Sequence, residues 1–311
     1  MVYLDNLSVM LRKARLSSWI FYLGKLAPRA VVVQMIGGLG NQMFQYAAGR
    51  HLSASLGLRL FLDVSWLSTP YARIKKRPPF HLEKYNIKGR VLSPDTIIGS
   101  TDAGDTDSFI KDRIGNVKVL SEQESDLTDI AGVNDVLYLT GFWQSEAYFS
   151  GSADRIKEEL RPRDLSGIAK LERDILATDS VGMHVRRGDY LANQDRFPVL
   201  PPSYYDAAIQ RLGDNYKFYI FSDDPEWCRS HWHDKGYEII KGNSPVEDLY
   251  LMSLCRNIVI ANSSFSWWAA WLDDDGNKRI IAPEDWRGPG YEAMRKGHEA
   301  LPRHWEKMKY Y

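Results

Sequence analysis

Seven short apolar runs, at residues 31–35, 58–64, 136–140, 181–185, 218–221, 258–261 and 279–282, limit what this chain can become. None keeps a strict apolar–polar alternation, the pattern of a strand with one face in water. Continuous apolar runs of this length suit parallel strands covered on both faces. Helical patterns lie between them. Residues 41–56 repeat apolar side chains at Phe44, Ala47, Ala48, Leu52 and Leu56, with Gly57 beyond the end. Residues 203–212 place Tyr205, Ile209 and Leu212 on one face before Gly213. Asp224-Pro225 opens a helix expected to close at Gly236, and Ser244-Pro245-Val246-Glu247 combines a capping box with proline at the first helical position. This alternation predicts a doubly wound α/β architecture.

The chain has 311 residues, room for two domains. Residues 1–29 read as a basic amphipathic extension, 30–160 as an N-terminal α/β domain and 161–311 as a C-terminal one. Residues 161–164, with Pro162, are the expected linker, and a final helix is expected to pack back on the first domain. Residues 65–125 are rich in Pro, Gly and charge and read as loops and short elements. Lys+Arg and Asp+Glu balance at 40 each, which argues against bulk nucleic-acid binding, since that needs a basic face to neutralise phosphates, and leaves a local pocket for one small anion compatible. Two cysteines, Cys228 and Cys255, cannot build a disulfide framework or a Cys-based zinc site, and they point to a reducing compartment. No apolar run reaches the roughly 18–20 residues that span a bilayer. Residues 11–29 do gather Arg12, Lys13, Arg15, Lys25 and Arg29 around Trp19, Ile20, Phe21 and Tyr22. A surface helix packing on the domain accounts for that pattern, and a helix lying on an anionic membrane is the other reading.

Four motifs fall at the carboxyl ends of expected strands. Gly37-Gly38-Leu39-Gly40-Asn41 joins a strand to a helix. Its glycines let backbone N–H groups approach an anion, and Asn41 is otherwise a helix cap. The third glycine of a dinucleotide fingerprint is missing, since Met43 stands there. His184-Val185-Arg186-Arg187-Gly188-Asp189-Tyr190 follows a buried strand, with His184 and Arg186 on one face. Two arginines there need an anion or several carboxylates, and the planar arginine fork suits phosphate. Phe221-Ser222-Asp223-Asp224 ends another strand. Asp224 can cap the helix that Pro225 begins, whereas Asp223 has no evident structural partner and can accept from ribose hydroxyls or a guanine N–H edge. Asn262-Ser263-Ser264-Phe265-Ser266 precedes a buried helix whose N-terminus offers N–H groups and hydroxyls to phosphate.

Ligands of open α/β sheets bind at such strand ends. A glycine turn, two arginines, acids and a serine-rich helix start together fit a nucleoside diphosphate held without metal. Asp-Asp-Pro is not the Asp-x-Asp of a metal-dependent transferase. His231-Trp232-His233 points its imidazoles apart on a helix, so it reads as surface and packing. Trp143, Trp227, Trp267 and Trp268 read mostly as core.

The segments GGLGNQMFQYA (37–47), HVRRGDY (184–190), FSDD (221–224), EDLYLMSLC (247–255) and NSSFSWWAAWL (262–272) resemble the bacterial α-1,2-fucosyltransferases of glycosyltransferase family 11. Their combination and order are specific, and with the flanking strands the resemblance runs from residue 31 to about 283. The resemblance implies a GT-B-like fold of two Rossmann-like domains facing a cleft, the first on the acceptor side and the second binding the donor. It implies inverting, metal-independent transfer of fucose from GDP-β-L-fucose to a galactose 2-hydroxyl of a glycan. On that basis Arg186, Asp189, Asn41 and His184 are the expected catalytic residues. Gly38, Gly40, Arg187, Asp223, Asp224, Asn262, Ser263, Ser264, Phe265 and Ser266 are the expected donor-binding residues, with no metal ligand. Asp189 and Asp195 are the candidates for a general base.

Other fucosyltransferases, α-1,6 or protein O-linked, resemble the chain at the arginine and Gly-Asn-Gln pieces. A non-catalytic glycan-binding protein with a vestigial nucleotide pocket is a rival of another class, opposed by the intact Arg186, Arg187 and Asp223. The family implies surface-glycan (O-antigen) assembly in the cytoplasm or peripherally at the inner membrane. The acceptor and the oligomeric state stay open.

Overall fold

The computed structural model describes residues 29–64, 66–67, 78–92, 117–122, 127, 136–213, 215–273, 276–286 and 299–310. The basic segment 11–28 and most of 65–125 lie outside the described residues. The described chain falls into two compact units. One takes in described residues of 1–37, 45–80 and 88–143, and the other those of 38–44, 81–87 and 144–311.

The first unit holds β1 (Ala30–Gln34), β2 (Arg59–Asp63), β3 (Arg90–Leu92), β4 (Val117–Ser121) and β5 (Val136–Thr140). They form one parallel sheet in the order β3-β2-β1-β5-β4. Val32 sits opposite Phe61 on one side and Tyr138 on the other, all buried. Burying β1 on both faces is what its unbroken valines required. Helix α1 (Leu39–Leu56) follows β1. It begins two residues before the expected start because the Gln42 N–H closes the first turn on Gly38 O (3.0 Å). Asn41 therefore lies inside the helix and is not its cap.

The second unit contains β6 (Ser180–Val185), β7 (Lys217–Ser222), β8 (Glu238–Ile239), β9 (Asn257–Val259), β10 (Arg279–Pro283) and β11 (Glu306–Met308). Its sheet is parallel throughout, in the order β11-β10-β9-β6-β7-β8. Counted from β6, this is the 3-2-1-4-5-6 order of a doubly wound nucleotide-binding unit, and strand order reverses between β6 and β9. Helices α2 (Ala153–Glu159), α3 (Ala169–Leu176), α4 (Pro202–Leu212), α5 (Pro225–His231), α6 (Pro245–Ser253) and α7 (Ser264–Leu272) connect and cover the strands. The chain has an α/β fold with two parallel sheets, the second in doubly wound order.

Local chemistry explains the helix starts. Ser244 accepts the Glu247 N–H while Glu247 accepts the Ser244 N–H, so the capping box of α6 is complete. Asp224 caps α5 by accepting the Trp227 N–H (3.2 Å). Helix α5 ends at His231, short of Gly236, where the Trp232 N–H bonds back to Cys228 O. The last described element is the strand β11, and the expected final helix is not among the described elements. Residues 161–164, expected as a linker, are tied within the second unit: Pro162 bridges to Tyr85, and the Arg163 N–H donates to Lys84 O (2.9 Å). Among the described residues, no helix is long and apolar enough to cross a membrane.

Candidate active site

Everything below lies in the second unit, where β6, β7 and β9 end. The loop after β6 is held by the end of β7. The Arg187 N–H donates to Asp223 Oδ1 (2.9 Å), and Arg186 Nη1 lies 3.1 Å from Asp223 Oδ2. Asp223 thus has structural partners, contrary to the expectation that it had none. The reason is Gly188. A Cβ there would overlap Asp223 Oδ2 and stand 3.1 Å from its Cγ, so only glycine lets the carboxylate reach both arginines.

The two arginines differ. Arg187 Nε donates to Asp224 Oδ2 (3.0 Å), and its guanidinium lies 4.1 Å from the Trp227 ring centroid. Trp227 in turn stacks on His231 at 5.1 Å and 2°. Arg187 and Asp224 therefore pin the loop to α5, which departs from their expected place on the ligand. Arg186 carries Asp223 on Nη1 and Asp189 Oδ1 on Nη2 (2.5 Å), and its guanidinium lies 5.2 Å from the Tyr190 ring centroid. Its Nε–H is buried and has no partner among the described residues.

Tyr190 links β6 to β9. Its hydroxyl donates to the Asn262 carbonyl (3.0 Å), and its ring stacks on Phe197. Burial pushes its phenol pKa up to about 12. The Asn262 side chain donates to Pro198 O (2.9 Å), and its Oδ1 is buried without a partner among the described residues. His184 is buried against Phe265, ring centroids 5.2 Å apart, and its Nδ1 also has no partner among the described residues. Burial first, and the Arg186 charge second, push the His184 pKa down to about 3, so the imidazole is neutral. Three unsatisfied polar atoms thus belong to residues at or just beyond the ends of β6 and β9, the strands between which the order reverses: His184, Arg186 and Asn262. Each such atom costs on the order of 1–3 kcal/mol until a ligand or water meets it.

Helix α7 starts at this point. Ser263 is its N-cap, and its hydroxyl accepts the Phe265 N–H at 3.4 Å. Among the described residues the Ser264 N–H has no partner, leaving it as the first free donor of the helix. Ser266 departs from the expected role. It is fully buried and its hydroxyl bonds back to Ala261 O and Ser263 O (3.3 and 3.2 Å), so it is spent on the backbone.

The glycine turn also splits. A Cβ on Gly40 would overlap the Ser264 carbonyl carbon and stand 2.6 Å from Phe265 N, whereas one on Gly38 would meet nothing within 4 Å. Gly40 is thus explained by close packing on the first peptide of α7, and Gly38 keeps an open face. Asn41 Oδ1 accepts from Gln144 Nε2 (2.7 Å). Phe44 packs on Trp267 and Trp268 with centroids 4.4 and 4.9 Å apart, so those tryptophans are core. Asp195 is exposed on the loop before Phe197. The sequence alone does not single out Tyr190, Trp227 and Pro198 as partners of these groups. Only the aromatic residues next to the motif could have signalled two of them. No group of three His, Cys, Asp or Glu side chains among the described residues is gathered as metal ligands.

A Rossmann-ordered unit with polar atoms left without partners at its reversal point is where an open α/β sheet takes a ligand. The family model described as glycosyl transferase family 11 matches residues 104–308. An α-1,2-colitosyltransferase of Escherichia coli is 33% identical over 82% of this chain and 92% of that protein. The O-antigen biosynthesis glycosyltransferase WbnK of Escherichia coli is 29% identical over 80% of this chain and 92% of that one. Among solved structures, POFUT1 in complex with GDP-fucose aligns with a TM-score of 0.49 and 12% identity, over 82% of this chain and 98% of that one. The chain belongs to glycosyl transferase family 11 and is a glycosyltransferase.

Proposed function

We propose that the protein transfers L-fucose from GDP-β-L-fucose to the 2-hydroxyl of a galactose residue in a glycan, with inversion and without a metal. The observation that carries this reading is the trio of buried, unmatched polar atoms on His184, Arg186 and Asn262, beside the open N–H of Ser264 at the start of α7. A diphosphate supplies acceptors to the arginine and to the helix start, and its charge suits both. The names of relatives support the transferred sugar and the acceptor. One, 27% identical over 76% of this chain, is a galactoside α-(1,2)-fucosyltransferase of Rattus norvegicus.

In the proposed reaction the acceptor oxygen attacks the anomeric carbon opposite the diphosphate. The bond to the diphosphate oxygen breaks with its electron pair, and the acceptor proton leaves to a base, Asp189 or Asp195. The transition state is oxocarbenium-like, as in glycoside chemistry. Arg186 takes the charge that builds on the leaving diphosphate. His184, neutral and buried, serves as a hydrogen-bonding wall and not as an acid. Asp223 aligns Arg186 and keeps capacity for the nucleoside, since a carboxylate accepts more bonds than its two arginine contacts use. A colitosyl donor is the second reading, favoured by the name of the relative that is 33% identical.

The test is purified protein with GDP-fucose and lactose in EDTA, followed by mass spectrometry. A fucosylated trisaccharide is expected, with the linkage read by NMR. Product from a colitosyl donor but none from GDP-fucose would move the donor to the second reading. Dependence on added Mg²⁺ or Mn²⁺ would reject the metal-free reading.

A further inference from the structure

Arg186 meets two carboxylates of unlike kind. Asp223, at the end of β7, also accepts the Arg187 N–H and is built into the loop. Asp189 stands three residues along the same loop, on the single turn Gly188–Ala192, and its side chain is 68% exposed against 31% for Arg186. Asp189 holds Nη2, Asp223 holds Nη1, and the buried Nε–H has no partner among the described residues.

The guanidinium fork makes these positions interdependent. A phosphate that docks side-on takes Nε and Nη2 together. Nε is buried and lacks a partner among the described residues, and Nη2 already donates to Asp189. A diphosphate using this edge must therefore displace the Asp189 carboxylate. The exchange is favourable. An exposed ion pair contributes little, whereas phosphate makes two charge-assisted bonds and satisfies a buried N–H.

We infer that Asp189 is a latch on Arg186 that the donor's diphosphate displaces, so that its carboxylate is freed only when donor is bound. This rests on the reading of Arg186 as the diphosphate partner. The latch opposes donor binding, the reverse of what a residue that merely positions Arg186 does. It also keeps the exposed carboxylate neutralised until a proton must be accepted from the attacking hydroxyl.

The sign of one effect tests this. GDP is titrated by calorimetry into the wild type, Asp189→Ala, Asp189→Asn, Arg186→Ala and the Arg186→Ala/Asp189→Ala pair. Asp189→Ala is expected to tighten GDP by about two- to fivefold, the size of an exposed ion pair. Asp189→Asn should fall between it and wild type, and turnover should drop in both while the donor KM does not rise. In the Arg186→Ala background, removing Asp189 should leave GDP affinity unchanged. Weaker or unchanged GDP binding by Asp189→Ala overturns the latch. Equal tightening in the Arg186→Ala background also overturns it, because the effect is then general repulsion. Failure of the wild type to bind GDP is a different result, and it removes the nucleotide reading itself.

Discussion

Both units bring two central parallel strands to an end side by side, and they treat those ends oppositely. In the first unit, among the described residues, polar groups at the ends of β1 and β5 are met by the protein's own side chains. Gln45, fully buried, accepts the Ile36 N–H and donates to Gly141 O, both at 3.0 Å. Glu122 accepts the Phe142 N–H at 2.8 Å, and Tyr138 donates to the buried Asp63 at 2.6 Å. In the second unit the ends of β6 and β9 leave His184 Nδ1, Arg186 Nε and Asn262 Oδ1 without partners among the described residues. The lesson is that topology offers a ligand position, and unsatisfied chemistry decides whether it is used. A sealed end is stable by itself, whereas an open one stores a penalty that a ligand relieves.

The comparison can be broken first at the glycine turn. Gly40→Ala drives a methyl into the backbone of the first α7 peptide, at a cost on the order of 3 kcal/mol. It should lower the melting temperature and weaken GDP binding together. Gly38→Ala adds a methyl in open space and should leave stability within about 0.5 kcal/mol. Any loss of GDP affinity in that variant then reports a ligand contact. Equal destabilisation of both variants, read by thermal unfolding, contradicts the packing argument.

The sealed end can be opened. Gln45→Leu strips partners from the Ile36 N–H and Gly141 O, costing about 1–3 kcal/mol. Urea unfolding should show that loss while calorimetric GDP affinity stays within about twofold of wild type. A large loss of GDP affinity in a folded Gln45→Leu protein would mean that the first unit's strand ends belong to the donor site.

The smallest effect is acid sensitivity at the open end. The His184 pKa falls from the ordinary 6.5 to about 3 in the folded protein. Between those values the unfolded chain binds more protons at this residue, so stability is lost as pH falls from about 6.5 towards 3. The slope reaches about 1.4 kcal/mol per pH unit for one such group. His184→Gln should therefore lose less stability than wild type between pH 7 and pH 5, read by denaturant midpoints. Identical losses would show that the buried imidazole does take up a proton.

Much of the fold was legible because central strands announce themselves. The runs at 136–140, 181–185 and 279–282 match their strands within one residue at each end, since burial on both faces demands unbroken apolar residues. Edge strands were not legible. Glu238–Ile239 has two residues, and two of the three in Arg90–Leu92 are exposed, so neither needs an apolar run. The candidate site's position was legible, because all four motifs stand at strand ends. Its wiring was not. Whether Ser266 bonds a ligand or its own backbone, and whether Asp223 is free or clamped by arginines, depends on contacts 3 to 37 residues away. Gly188 carried that information only in the carbon it lacks.

The most direct test of the central claim is a calorimetric titration of GDP, in EDTA, into wild-type protein and a folded Arg186→Ala variant side by side. The account predicts one GDP site in the wild type and, on losing the unmatched Nε–H and its charge, an affinity lower by at least about tenfold, as for a charge-assisted bond of 1.5–3 kcal/mol. Equal affinity in the two proteins would contradict it, and would place the diphosphate away from the ends of β6 and β9.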